Sequence, residues 1–485
     1  MFRSSLAMVK VSAVVLLTLP LTVASLNAQT ANPGDDPDVK GAIRLFSAWM
    51  DGQVRWRELP GVAVGVVADQ ELVWARGFGF ADIATGRPMR PDTKFRMASH
   101  SKLFTAIAIM QLREQGKLQL DDPVAKHLPW FHVRSAEPGD PPITIEHLLT
   151  HSSGLPREAG SHWTTREFPT QEELRDLIPE RQAAFSPKVR YKYSNLAFTV
   201  AGMVVEAVSG QTWAGYLQTN IFDPLGMTSS SVDRNVEGLA TGYTMRLPDG
   251  SRETIGFVDA RGMAAATGLT STVEDMARFV SAQFRKGQRS GERILSTGSL
   301  REMHRVRFLE NDWTNGHGIS FWVQRVDDTL YVGHGGGYPG YTTNTKIQLD
   351  SRVGVIVLTN TNDSNPSQIA EQLMNTVGSA VAQATKTAPD AVAWDPSWAR
   401  FAGLYRRPGG SESQVVLLNE RLVIIRPSGR NVDNPIRLEP LGDGVFRYTA
   451  PGGDGVIGEQ VRFLEENGEV VRMFTGDSFV DRVRD

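Results

Sequence analysis

Strand-like segments in this sequence gather at two places separated by a long, mostly helical middle, and that arrangement restricts the fold more than any other property. Gly61 to Ala68 and Glu71 to Ala75 are apolar, β-branched runs joined by Asp69-Gln70, the pattern of a β-hairpin. Ile319 to Val326, Thr329 to Val332, Thr342 to Leu349 and Val353 to Thr359 form a second group, with short turns between successive strands. Strands that follow one another without intervening helices pair antiparallel. An α+β domain with an antiparallel sheet is therefore expected, in place of alternating βαβ units. Helices to flank it come from the spacing of Ile43, Phe46, Trp49 and Met50 within residues 40–57 and from the apolar run 103–115, closed by Gly116. Ser271 and Glu274 read as a capping box for a helix ending near Gly287, and a last helix is expected from about Pro366 to Thr385.

At 485 residues the chain has material for two or three domains. Residues 36–385 read as one domain. Lys386 to Pro396 is a Pro/Ala/Asp linker (386–396), and residues 397–485 form a small all-β module, a meander or barrel. Its strands are read at Phe401–Tyr405, Val415–Leu418, Leu422–Ile425, Val445–Thr449 and Val461–Leu464. That module carries no recognisable chemical constellation. Residues 1–28 read as a signal peptide: Arg3 and Lys10 precede an apolar stretch from Val11 to Leu26, and Asn27-Ala28 offers a cleavage point before Gln29. The alternative is an uncleaved anchor. A secreted or periplasmic protein with no stable membrane insertion after cleavage is the expectation. The absence of cysteine excludes disulfides, thiolate metal sites, a cysteine nucleophile and a lipid-modified cysteine. A net charge of −3 gives no reason to expect a nucleic acid partner.

Three short motifs carry chemistry. Ser99 and Lys102 stand three residues apart at an expected helix start, so the lysine lies over the serine on one face. A serine hydroxyl attacks a carbonyl only when a neighbouring base takes its proton, and a helix N-terminus supplies donors for an oxyanion. Tyr193-Ser194-Asn195 can add a proton shuttle, if a nearby ammonium stabilises the phenolate, and an amide able to bond both Lys102 and a substrate amide. Gly333-His334-Gly335-Gly336-Gly337, between strand-like segments, lets a substrate backbone lie against a strand. Taken singly, each is as consistent with a chance spacing, a helix start or a hairpin tip.

In this order the three motifs resemble those of the serine β-lactamase and penicillin-binding-protein superfamily. The nearest branch is the class C β-lactamase-related serine hydrolases, which include D-aminopeptidases, D,D-peptidases, esterases and acyltransferases. The surroundings agree: Phe95-Arg-Met-Ala-Ser99, Leu148-Leu-Thr-His-Ser-Ser-Gly-Leu-Pro156, Phe185-Ser-Pro, Pro224-Leu-Gly-Met227 and Gly268-Leu-Thr-Ser-Thr-Val-Glu-Asp275, over about residues 40 to 380. The resemblance implies a β-lactamase/transpeptidase-like fold, with a mostly helical subdomain beside the sheet. It implies Ser99 as nucleophile, Lys102 as its base partner, Tyr193 as general acid/base and Asn195 as a positioning residue. The oxyanion hole falls to the N–H groups of Ser99 and Gly337, on a substrate-binding strand that includes His334, Gly335 and Gly336. No metal or organic cofactor is implied. The resemblance implies a small-molecule or peptide substrate, cell-wall peptide included, and leaves the oligomeric state open. Efficient β-lactamases of this kind carry Lys-Thr-Gly where this chain has His334-Gly335-Gly336; Lys386-Thr387-Ala388 lacks the glycine and lies in the linker. A largely neutral histidine weakens the grip on a substrate carboxylate, which favours esters or D-amino-acid peptides over β-lactams.

Other readings compete poorly. His147 and His151 have zinc-ligand spacing but no Glu in the His-Glu-x-x-His position, and His127 and His132 read as loop residues. There is no Gly-x-Ser-x-Gly elbow and no phosphate-binding Gly-x-x-x-x-Gly-Lys loop. A non-catalytic penicillin-binding sensor that acylates and stalls, and a class C-type β-lactamase, remain as alternatives.

Overall fold

In the computed structural model the two strand groups meet in one sheet. The structure describes residues 32–232, 236–284, 294–327, 329–385, 395–418, 421–425, 436–442, 444–449 and 457–483. The signal segment 1–28, the helix end near Gly287 and linker residues 386–394 lie outside the described residues. The chain divides into two units, Met1–Thr385 and Lys386–Asp485.

The first unit runs α1 (Pro37–Trp56), β1 (Gly61–Ala68), β2 (Glu71–Asp82), β3 (Arg87–Pro88), α2 (Ser101–Glu114), α3 (Asn195–Ser209), α4 (Val273–Ala282), β4 (Phe308–Leu309), β5 (Asn315–His317), β6 (Trp322–Val326), β7 (Thr329–Tyr338), β8 (Tyr341–Gln348), β9 (Val353–Thr359) and α5 (Pro366–Leu373), with short helices between. Spatial order in the sheet is β3-β2-β1-β9-β8-β7-β6-β5-β4, and every neighbouring pair is antiparallel. The seam between the two groups is β1 with β9, in register from Val62↔Thr359 to Ala68↔Val353.

Both central strands are buried throughout, because helices cover both faces. Val62, Val64 and Val66 share a core with Phe46 and Met50 of α1 and Ile369 and Leu373 of α5. Their neighbours Ala63 and Val67 join Phe104 and Ile107 of α2 and Phe279 and Val280 of α4 on the other side. This is why the run reads as continuously apolar instead of alternating. Each fully buried valine contributes about 1.5–3 kcal/mol relative to exposure. α5 continues through a π turn, Met374–Gly378, into Ser379–Ala384, giving the expected last helix.

Local details depart from the sequence reading. The helix cap is Thr272, whose hydroxyl accepts from the Asp275 N–H at 3.1 Å. Ser271 is instead paired with Phe95 in a two-stranded ladder, so the cap lies one residue later than Ser271 and is a single bond in place of the expected box. β6 begins at Trp322 and not Ile319, since Ser320 takes a left-handed φ of 68° and Gly318 N–H bonds to Phe321 O. β7 extends through the glycines to Tyr338, because β8 pairs with it all the way to Tyr341.

The second unit is a closed, all-antiparallel barrel of eight strands. Trp398, Phe401, Tyr405, Phe446, Val461 and Met473 share its core. The sequence pattern misses Ile436–Gly442, Glu469–Thr475 and Ser478–Arg482. Their inward residues are sparse among charged ones: in the first, Ile436 and Leu438 are buried while Arg437 and Glu439 are exposed.

Candidate active site

Ser99 sits in a single 3₁₀ turn, Ala98–His100, that runs directly into α2. Ala98 before it has a left-handed φ of 51°, a strained setting for a residue with a Cβ. The turn is tied down by its surroundings: Met97 N–H donates to Leu269 O at 2.8 Å. The Ser101 hydroxyl donates to Ala98 O at 2.7 Å and accepts from Leu269 N–H at 2.9 Å. These bonds hold the Ser99 side chain part-exposed at the helix mouth.

Lys102, one helical turn on, is fully buried. Its Nζ lies 3.0 Å from Ser99 Oγ, 2.7 Å from Asn195 Oδ1 and 2.8 Å from Ala266 O. Burial drives its pKa well below the ordinary lysine value; Glu158 opposes the drop and Arg157 adds to it. A neutral amine has two N–H bonds and one lone pair. In that form its two N–H bonds go to the oxygens on Asn195 and Ala266, which can only accept, and the lone pair is free for the Ser99 hydroxyl.

Tyr193 donates its hydroxyl to Ser99 Oγ at 2.7 Å. Here one expectation fails. Burial pushes the Tyr193 pKa up to about 12, with the Ser99 bond and Arg157 opposing it weakly. Lys102 Nζ lies over the ring, 4.9 Å from its centroid. The resting group is a phenol, and no lysine ammonium holds it as phenolate. Asn195 is buried at the start of α3; its Oδ1 accepts from Lys102, as expected, and its Nδ2 donates to Glu158 Oε1 at 2.5 Å, a partner the sequence reading did not name.

His334, Gly335, Gly336 and Gly337 lie along β7 beside the Ser99 turn. A Cβ on Gly336 would come within 2.5 Å of Met97 O and 2.3 Å of Thr343 Oγ1, so only glycine lets the strand lie against that turn. A Cβ on Gly337 would meet nothing within 4 Å. β6 pairs with β7 only from Thr329 to Gly333, so residues 334–338 have β8 as their sole described ladder partner. His334 is buried, which pushes its pKa well below the usual histidine value, with His100 and Lys102 adding to the shift. Its Nδ1 lies 2.5 Å from Gly335 O, and its ring is 5.9 Å from that of His100.

The remaining histidines have structural partners. His151 Nδ1 accepts from Ser194 N–H at 3.1 Å and its ring packs 4.3 Å from Tyr193, so it supports the tyrosine segment. His147 Nδ1 accepts from Thr144 N–H in a helix cap. His127 bonds Asp122, and His132 bonds Trp130 O. Among the described residues, no group of three or more His, Cys, Asp or Glu comes together as a metal site. Sequence reasoning missed Glu158 and its partner His162; Glu158 stands two residues beyond the Leu148–Pro156 segment, where its charge alone gave no signal.

A family model described as Beta-lactamase matches residues 46–374. The chain is similar to penicillin-binding protein 4* of Bacillus subtilis (strain 168), 28% identical over 406 residues that cover 78% of this chain and 85% of that protein. It is also similar to esterase EstB of Burkholderia gladioli, 34% identical over 279 residues, 50% of this chain and 71% of the relative. Among solved structures, the octameric penicillin-binding protein homologue from Pyrococcus abyssi matches with a TM-score of 0.60 at 24% identity, over 90% of this chain and 99% of that one, a likeness of fold. With the acyl-transfer geometry and the matched span in agreement, the chain belongs to the beta-lactamase family and is a serine hydrolase.

Proposed function

We propose that this protein is an exported hydrolase that passes through an acyl-Ser99 intermediate on D-amino-acid peptides, amides or esters. The observation that carries the reading is the double engagement of Ser99 Oγ, by Lys102 Nζ at 3.0 Å and the Tyr193 hydroxyl at 2.7 Å. Ser99 gives its proton to the neutral Lys102 amine as Oγ bonds to the substrate carbonyl carbon. The carbonyl electron pair moves onto oxygen, which the N–H groups of Ser99 and Gly337 receive. Tyr193 hands its hydroxyl proton to the departing nitrogen or oxygen and is resupplied by the Lys102 ammonium. Water then attacks the acyl-serine by the reverse proton route. Export rests on the signal-like segment 1–28.

Two features support the substrate class. The open ladder edge at residues 334–338 suits an extended peptide or an acyl amide laid alongside it. A neutral His334 withholds the cation that a β-lactam carboxylate needs, which ranks β-lactam hydrolysis second. The test is a side-by-side panel of D-alanyl-p-nitroanilide, short-chain p-nitrophenyl esters and a chromogenic cephalosporin, with intact-mass detection of the adduct. Turnover on the first two, a transient mass gain on Ser99 and loss of both in Ser99→Ala is the expected result. Full ester turnover by Ser99→Ala overturns the reading. A stable adduct without turnover points to a penicillin-binding sensor.

A further inference from the structure

Next to Asn195 lies a carboxylate that the chemistry above leaves unused. The Glu158 side chain is 14% exposed, and both of its oxygens are engaged. Oε1 accepts from Asn195 Nδ2 at 2.5 Å, and Oε2 accepts from His162 Nε2 at 2.9 Å. Arg157 Nε reaches Oε1 at 3.3 Å from the solvent side. The His162 ring is packed on Phe168 at 4.6 Å, and its Nδ1 is buried without a partner. A hydrogen on Nδ1 would have no acceptor, so the ring carries its hydrogen on Nε2 and donates it to Glu158.

The segment is stapled in place, since Asn195 and Leu196, at the exposed N–H end of α3, both donate to Arg157 O at 2.9 and 3.1 Å. The donors therefore run one way: His162 to Glu158, Asn195 to Glu158, Lys102 to Asn195, with the Lys102 lone pair left for Ser99. If the Asn195 amide turned over, its oxygen would oppose a carboxylate and its NH₂ would oppose an amine already donating.

We propose that Glu158 is a positioning residue of the Ser99 centre: it fixes the Asn195 amide with its oxygen toward Lys102, and its negative charge offsets the ammonium that forms on Lys102 when Ser99 is acylated. This rests on Lys102 acting as the base for Ser99. As the Oγ–carbon bond forms, the serine proton and its positive charge arrive on Nζ, one side-chain amide away from the carboxylate. The groups facing Lys102 are few. His100 on its own helix segment, His151 from the neighbouring loop and His334 from β7 are each held neutral by burial, and Tyr193 and Phe198 present ring faces. Among the described residues, the charges acting on Lys102 are Glu158, which raises its basicity, and Arg157, which lowers it; Lys192 faces that same pair.

The test is the pH profile of kcat/KM on a p-nitrophenyl ester, for full-length wild type, Glu158→Gln, Glu158→Leu and Arg157→Gln, with thermal melting and Ser99 acylation by intact mass. Glu158→Gln keeps the shape and loses the charge. It should lower kcat by about tenfold or more with little change in KM, and its acid limb should move to lower pH because Lys102 becomes less basic. Glu158→Leu, which also frees Asn195, should lose more. Arg157→Gln should move the acid limb the opposite way, and since its side chain is 64% exposed it carries the test if the Glu158 variants do not fold. Profiles that superpose on wild type, or equal losses in Gln and Leu variants with an unmoved limb, overturn the proposal. Absence of Ser99 acylation in wild type instead defeats the underlying acyl-serine reading, so the two failures are separable.

Discussion

At the scale of single residues, the site works through what burial does to titratable groups. Lys102 is a strong base in water and a protonated one; burial beside Ser99 pushes it toward the neutral amine, with its Nζ 3.0 Å from Ser99 Oγ. His334 follows the same rule to a different end. Because it is buried and neutral, the strand beside the Ser99 turn offers no fixed cation there. Lysine in its place should change selectivity. His334→Lys is expected to raise kcat/KM for a carboxylate-bearing β-lactam about tenfold relative to a neutral p-nitrophenyl ester, the size of one charge-assisted contact. An unchanged ratio of the two rate constants would remove the role assigned to His334.

At the scale of elements, the contact between β7 and the Ser99 turn decides whether these groups meet. Two neighbouring glycines separate packing from access. Gly336→Ala drives a methyl into Met97 O and Thr343 Oγ1 and should lower stability by about 1–3 kcal/mol while cutting kcat, as the strand lifts from the turn. Gly337→Ala has open space, so melting should be unchanged and KM should rise as the methyl enters the cleft. Identical effects of the two in melting and kinetics would contradict this geometry. How far such elements could be read in advance depended on how local their cause is. β1 and β9 were legible because burial on both faces writes an unbroken apolar run. The extension of β7 through its glycines was not, since it is imposed by pairing with β8. Ser99, Lys102, Tyr193 and Asn195 were legible as types at fixed spacings. The bond from Asn195 to Glu158 was not, because Glu158 comes from a loop whose position only the fold sets. The raised phenol of Tyr193 was missed for a similar reason: burial, and not the neighbouring charge, dominates it.

At the scale of the whole molecule, each unit has its own core, and the first carries a cluster of buried neutral histidines around its site. His100 has its pKa pushed down to about 4 by burial, and His151 and His334 shift the same way. An unfolded histidine takes up a proton near pH 6.5, whereas these refuse it until much lower pH. Their contribution is therefore complete above 6.5 and is lost as pH falls from there toward 4, up to about 3 kcal/mol for a group such as His100. Denaturant unfolding followed at pH 7.5 and pH 5 should show a marked drop in midpoint for the first unit; equal midpoints would contradict the buried neutral state.

The barrel of the second unit has a different vulnerability. Its last strand, Ser478–Arg482, closes the ring against its first, Gly403–Arg406, through Tyr405↔Arg482 and Arg406↔Asp481. These final residues are a keystone and not a tail. A premature stop before Ser478 would leave Gly403–Arg406 and Glu469–Thr475 each with a bare row of peptide donors and acceptors. A sealed wall would become two adhesive margins, each able to recruit a strand from another copy.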